Sequence, residues 1–196
     1  MFTGIIETLG EVISTRQEGS NLVITIGASL APELKVDQSV AHNGVCLTVT
    51  NISANTYETV AVAETLQKSN LGQLTPGQYI NLERAMVFNG RIDGHLVQGH
   101  VDGVGECISK TAQDGSWVYQ FRYPAQFAAL LVEKGSICLN GISLTIFNVT
   151  NSEFSVAIIP YTYQFTNMQY LQPGQQVNLE FDILGKYVAR QLAVSL

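Results

Sequence analysis

Charge is scarce in this chain. Of its 196 residues only 13% are Asp, Glu, Lys or Arg while 46% are hydrophobic, far from the composition of chains that stay disordered. The chain therefore folds, and its length allows one domain or two small ones. Basic residues are the scarcer sign: ten Lys and Arg against sixteen Asp and Glu leave a net charge of -6. That is the wrong sign for neutralising phosphates, so nucleic acid is not an expected partner. Long apolar runs are missing too, with no stretch near the roughly 18 residues that cross a bilayer. The start, MFTGIIETLGE, has neither a basic region nor a cleavage site, so no membrane contact and a cytoplasmic location are expected. Cysteine is limited to Cys46, Cys107 and Cys138, an odd number without CxxC or Cys/His spacing, which argues against a disulfide framework and a zinc site. Histidine is limited to His42, His95 and His100, too few and too scattered for a metal cluster, and no metal is expected.

What the chain does have, it has twice. Shifted by 95 residues, MFTGIIETLGEVIS falls on LVQGHVDGVGECIS, matching Gly4 with Gly99, Gly10 with Gly105, Glu11 with Glu106 and Ser14 with Ser109. Shifted by 97, SVAHNGVCLTVTNI falls on SICLNGISLTIFNV, and ETLQKSN and LTPGQYINLE fall on YTYQFTN and LQPGQQVNLE. Such density over ungapped runs reads as a duplication of a unit of about 90 residues. The expected domains are 1–95 and 96–182, with the boundary near FNGRIDGH and a helix over 183–196.

Each unit carries short alternating, β-branched runs broken by turn signals, such as NLVITIG and VCLTVTNI in the first and WVYQFRY and ISLTIFNV in the second. That spacing predicts an all-β fold of tandem, Greek-key-like small barrels. Asn-Gly between apolar residues, in HNGV and LNGI, predicts tight hairpins. Pro124 followed by AQFAALLVEKG predicts a short helix stopped by Gly135. In DILGKYVARQLAVSL, Asp182 can cap a helix on which Leu184, Val188 and Leu192 form a stripe. No copy of it follows the first unit, and so short a helix needs its own barrel or other subunits to pack against.

Two similar barrels suit two similar ligands. Period-two alternation puts Cys46 and Thr48 on one strand face and Ser143 and Thr145 on the equivalent face of the second copy. Such polar groups either line a pocket or are ordinary strand formers. The segment GRIDGHLVQGHVDGVG brings glycines, which let backbone approach a flat ligand, next to His95 and His100, which exchange protons near neutral pH. It contains no P-loop, and a GxGxxG reading fails on spacing. Five residues apart on an extended strand, the two histidines point to opposite faces, against shared metal ligation.

MFTGI, SVAHNGVCLTVT, ETLQKSNLG, GQYINLERA, DGHLVQGHVDGVG, KGSICLNGISLTI, IIPYT and VNLEFDILGKYV, in that order, resemble the riboflavin synthase family over nearly the whole chain. The resemblance implies a cofactor-free homotrimer whose C-terminal helix helps to hold it. Its substrate would be 6,7-dimethyl-8-ribityllumazine, two molecules of which exchange a four-carbon unit to give riboflavin and 5-amino-6-ribitylamino-2,4(1H,3H)-pyrimidinedione. The site would form between the N-terminal barrel of one subunit and the C-terminal barrel of its neighbour. By motif match, His100 is the leading proton-transfer residue, with Ser143 and Thr145 near the same rings and Cys46 positioning or activating the nucleophile. Lys134 and Asp182 match charged positions near the C-terminal site. Binding positions implied in the same way are Phe2, Gly4, Ile5, Ile6, Ser39, Leu47, Thr48, Val62, Ala63, Glu64 and Thr65. In the second copy they are His95, Gly99, Val101, Leu144, Ile159, Pro160, Tyr161 and Thr162. Asp182 reads equally well as a helix cap, and Lys134 as a charge in the last turn of the short helix. Asn140 and Tyr161 depart from the family's usual residues. The competing expectations are a non-catalytic lumazine or flavin antenna of the same fold and a flavin-holding oxidoreductase, and the missing dinucleotide fingerprint speaks against the second.

Overall fold

The structure, a computed structural model, describes residues 1–194. Strands β1 (Thr8–Glu18), β2 (Asn21–Gly27), β3 (Ser39–His42), β4 (Val45–Ser53), β5 (Thr56–Ala61) and β6 (Tyr79–Arg84) close into one antiparallel barrel, in the order β1-β2-β5-β4-β3-β6. Strands β7 (Gly103–Gln113), β8 (Ser116–Arg122), β9 (Ser136–Leu139), β10 (Ile142–Phe147), β11 (Glu153–Ile158) and β12 (Gln176–Phe181) close into a second barrel of the same topology. Closure leaves no edge strand exposed. Alternation fills each interior: Tyr57, Thr59 and Ala61 of β5 point in, and Phe154, Val156 and Ile158 of β11 do the same.

The Asn-Gly signals become the hairpins β3-β4 and β9-β10. Asn43 and Gly44 (φ 47° and 80°) and Asn140 and Gly141 (φ 46° and 83°) take the paired positive φ values of a type I′ turn. The two-residue difference between the 95 and 97 offsets falls between the second and third strands of each unit. There the first copy makes the 3₁₀ turn Ala31–Glu33 and the second the longer Ala125–Leu130. The helix expected over Pro124–Gly135 is thus a 3₁₀ segment ending at Leu130. Lys134 is consequently not in a helix: it takes a left-handed turn (φ 64°), with its N–H donated to the Ile146 carbonyl. Two short helices, α1 (Ala63–Lys68) and α2 (Pro160–Phe165), follow the fifth strand of each barrel. The terminal helix α3 spans Ile183–Val194, capped by Asp182, whose Oδ1 accepts from the Leu184 N–H at 2.9 Å. Ser195 and Leu196, included in the expected helix, lie outside the described residues.

The barrels meet around the two Asn-Gly turns, where a Cβ on Gly44 would lie 2.8 Å from the Gly141 nitrogen. Buried amides bond across this seam: Asn81 Nδ2 donates to the Asn140 carbonyl (2.8 Å) and Asn178 Nδ2 to the Asn43 carbonyl (2.9 Å). Asn140 therefore serves the seam, and its Oδ1 accepts from the Asn178 N–H.

One buried pair separates the two cores. His42 Nε2 and the Tyr57 hydroxyl lie 2.8 Å apart inside the first barrel, where the second has Leu139 and Phe154. Burial pushes the imidazole down from 6.5 to about 4, so the unfolded chain binds the proton more readily than the folded one. This contribution to stability is complete above pH 6.5 and is lost as pH falls toward 4, by up to about 3 kcal/mol. The double variant His42→Leu/Tyr57→Phe, which copies the second barrel, is expected to flatten denaturant-derived stability over that window. An undiminished slope would place the titrating group elsewhere.

Candidate active site

Strands β4 and β10 turn Cys46, Thr48 and Thr50, and Ser143, Thr145 and Phe147, away from the barrel interiors. A hollow of about 430 Å³ lies against β10, lined by Lys134, Ser143, Leu144, Thr145, Phe147, Ala157, Ile159 and Thr162. That volume suits a small ring system. Ile159 is the extended residue before α2, and Pro160 opens the helix so that Thr162 reaches the wall. Lys134 Nζ stands 5.2 Å from the Phe147 ring centroid.

Ser143 is the best-held residue here. Its N–H donates to the Gly4 carbonyl at 2.8 Å, and its Oγ lies 2.7 Å from His95 Nδ1. Burial lowers the His95 pKa, with the nearby Asp182 carboxylate opposing the shift. Burial thus favours the neutral imidazole, whose Nδ1 shares a hydrogen bond with Ser143 Oγ. Gly4 has φ 79°, and a Cβ there would come within 2.6 Å of Ser143 Cβ. Gly94 is equally confined, because a Cβ would collide with the Thr3 carbonyl.

The N-terminal barrel repeats the arrangement. Cys46 N–H donates to the Gly99 carbonyl at 2.8 Å, and a Cβ on Gly99 (φ 81°) would lie only 2.6 Å from Cys46 Cβ. The 97-residue offset matches Ser143 with Cys46, Thr145 with Thr48, Ile159 with Val62, Pro160 with Ala63, Tyr161 with Glu64 and Thr162 with Thr65. It also matches Lys134 with Asp37, both in left-handed turns. The outer faces of β4 and β10 thus share a frame and differ in charge at that corner.

The leading segments of the two repeats are exchanged. Residues 1–6 enter the first barrel yet seat on the second, where Ile6 packs against the core. Residues 96–101 enter the second barrel yet seat on the first, where Val101 packs. Phe2 and Val97 pair in an isolated bridge between them. A buried carboxylate anchors each segment. Glu83 accepts from the Thr3 N–H (2.7 Å), the Thr3 hydroxyl (2.7 Å) and the Gly4 N–H (3.0 Å). Glu180 accepts from the Gln98 (2.6 Å), Gly99 (2.9 Å) and His100 (2.9 Å) N–H groups. Burial raises both carboxyl pKa values, while the amide donors pull them back.

His100 is therefore held by its main chain next to Gly99, which bonds Cys46 of the N-terminal barrel, with its side chain exposed, whereas His95 lies against Ser143 of the C-terminal one. Within one chain His100 and Ser143 stand at different barrels. Phe2 and Leu47, expected at the ligand, turn their side chains inward: Phe2 is sealed among Ala41, Val97 and Cys138, and Leu47 lies in the first core. Ser39 pairs with Thr48 across β3-β4, Glu64 and Tyr161 are exposed on α1 and α2, and Ile5 is exposed beside Gly4. Asp182 both caps α3 and acts on His95. Sequence reasoning missed Phe147, Ala157, Gly94 and the two anchoring glutamates. The repeated NLE of NLER and NLEF, an acid in a buried strand of both copies, was the signal for the last. Among the described residues no group of three or more His, Cys, Asp or Glu is placed to hold a metal ion.

The lumazine binding domain family matches residues 3–85 and again 98–182. Riboflavin synthase from Actinobacillus pleuropneumoniae is 42% identical over 193 residues, 98% of this chain and 90% of that protein. Riboflavin synthase from Mycobacterium bovis is 42% identical over 195 residues, 97% of each chain. Among solved structures, LumP complexed with riboflavin superposes with a TM-score of 0.87 at 20% identity, over 92% of this chain and 99% of that one, a likeness of fold. A lumazine binding domain in each half, with relatives matched almost end to end, makes the chain a member of the riboflavin synthase family.

Proposed function

We propose that the chain catalyses the dismutation of two 6,7-dimethyl-8-ribityllumazine molecules, giving riboflavin and 5-amino-6-ribitylamino-2,4(1H,3H)-pyrimidinedione. The observation that carries this reading is the shared frame of the β4 and β10 faces, from which a second hollow beside β4 is inferred, with His95, its pKa lowered by burial, against Ser143 Oγ at the β10 face. Two copies of one ligand need two related pockets, and conjugation to an electron-poor ring makes the substrate's C7 methyl acidic enough for a modest base.

In the C-terminal hollow His95 takes the methyl proton through Ser143 Oγ, and Lys134 stands beside the ring that becomes negative. Asp37, the counterpart of Lys134, disfavours the same anion in the N-terminal hollow, so proton loss is assigned to the C-terminal one. His100 exchanges protons with the second ring at the N-terminal hollow, where Cys46 and Thr48 line the strand. Two carbon-carbon bonds then form between the facing rings, while the two carbon-nitrogen bonds that hold the four-carbon unit to the donor break and their nitrogens, taking up protons, become the amino groups of the pyrimidinedione. Holding the rings together contributes several kcal/mol to a bimolecular step.

The exchanged segments and the sealed Phe2–Val97 bridge lie between β4 and β10 of one chain, which supports facing hollows supplied by different subunits. The stripe of Leu184, Val188 and Leu192 on α3, exposed in a single chain, supports a homotrimer joined by these helices. Purified protein given 6,7-dimethyl-8-ribityllumazine alone is expected to release one riboflavin per two molecules consumed, without added metal or cofactor. Tight binding without product would favour the antenna reading, and protein that oxidises a nicotinamide cofactor would favour the oxidoreductase. His100→Gln is expected to lower turnover about 10²–10⁴-fold with binding largely kept; unchanged turnover would remove His100 from the mechanism.

A further inference from the structure

Between the barrels lies a larger hollow, about 700 Å³, which shares no residue with the one beside Ser143. Each residue lining it has its counterpart 97 positions away, as with Asn70 and Asn167 or Leu74 and Leu171, so it straddles the approximate twofold axis that relates the repeats. None of its lining residues is charged. No charged side chain there pairs with a phosphate, a carboxylate or a metal ion.

Its walls differ because two counterparts have diverged. Gln73 corresponds to Tyr170, and Tyr79 to Gln176. Across the axis, therefore, tyrosine meets tyrosine on one side and glutamine meets glutamine on the other. The Tyr79 and Tyr170 rings stack with centroids 5.4 Å apart and planes 20° from parallel, and both rings stay about half exposed. Gln73 Nε2 donates to Gln176 Oε1 at 2.7 Å. That single bond leaves the Gln73 carbonyl as an acceptor and the Gln176 amide as a donor, side by side. Nearby, Asn70 Oδ1 is buried without a donor, while its counterpart Asn167 Oδ1 accepts from Asn81 Nδ2. Stacking surface on one wall and an adjacent donor and acceptor on the other describe a complement for a flat ring bearing an N–H next to a C=O.

We propose that this hollow binds a neutral planar heterocycle with a lactam or imide edge, stacked on the tyrosine wall and hydrogen-bonded to the glutamine wall, apart from the catalytic hollows. The ring systems released by the dismutation belong to that class, and only this choice of physiological ligand rests on the proposed function.

Equilibrium dialysis of the full chain against riboflavin tests the site. The wild type is expected to bind one riboflavin more per chain than either Tyr79→Ser/Tyr170→Ser or Gln73→Leu/Gln176→Leu. All four side chains are exposed, so both variants should fold, and both should keep dismutation within about twofold of the wild type. Blocking the imide N–H, with 3-methylriboflavin as the probe, is expected to weaken this site about tenfold. Equal riboflavin stoichiometry in the wild type and both variants would overturn the proposal. Turnover measured on the same samples reports on the barrel hollows alone, so its absence would count against the proposed reaction while the site count still decides this one.

Discussion

Replacing Ser143 with alanine, or His95 with glutamine, is expected to slow dismutation about 10²–10⁴-fold while lumazine binding changes only a few-fold. The reason is local. The Gly4 carbonyl fixes the Ser143 main chain and leaves its Oγ 2.7 Å from His95 Nδ1. Burial disfavours the imidazolium, so His95 is a base that stays deprotonated below the usual histidine pKa of 6.5. Its activity is present above its lowered pKa and is lost only as pH falls through that value. Asp182 opposes the shift, so Asp182→Asn should move the acid limb of the rate profile to still lower pH. A limb that moves up, or unchanged turnover in both single variants, would take the pair out of the proton path.

Charging the α3 stripe with Leu184→Glu/Val188→Glu/Leu192→Glu is expected to leave folded single chains whose turnover falls by at least about 10²-fold, because two rings held apart lose the benefit of proximity. The three leucine and valine side chains are 60–65% exposed in one chain, so the substitutions disturb little within it. The helix stays anchored at its start by the Asp182 cap and by the Lys186–Asp102 ion pair at 2.6 Å. Apolar side chains repeated one per turn on a short helix bury themselves best against copies of the same helix. Sedimentation gives the mass and a product assay gives the rate. Single chains with full turnover would show that one subunit carries a complete site.

The duplication made the fold legible. Matching Asn-Gly turns, matching Pro-Gly turns and period-two strands each occur at a constant offset, and a six-stranded barrel is the simplest closed answer for such short strands. Outward-facing Cys46, Thr48, Ser143 and Thr145 were legible for the same reason, since alternation fixes a face without any tertiary information. What the periodicity could not carry was the exchange of the leading segments. Whether Gly4 meets Cys46 or Ser143 depends on which barrel the segment crosses to, and the buried carboxylates that hold the two segments, Glu83 and Glu180, lie far along the chain. Hence His95 rather than His100 lies against Ser143. Phe2 and Leu47 show the same limit: motif position places a residue near a site, whereas packing decides whether its side chain faces outward or, as here, the core.

The proposed reaction has hollows from two different subunits meeting around a pair of substrate molecules. His100→Gln, impaired at the N-terminal hollow, and Ser143→Ala, impaired at the C-terminal one, are to be co-expressed in equal amounts and purified together. If sites form between subunits, some pair an intact His100 from one chain with an intact Ser143 from the other, and about a quarter of the wild-type rate should return, each interface having even odds on both sides. A co-purified mixture no more active than its two parents would contradict a site shared between subunits.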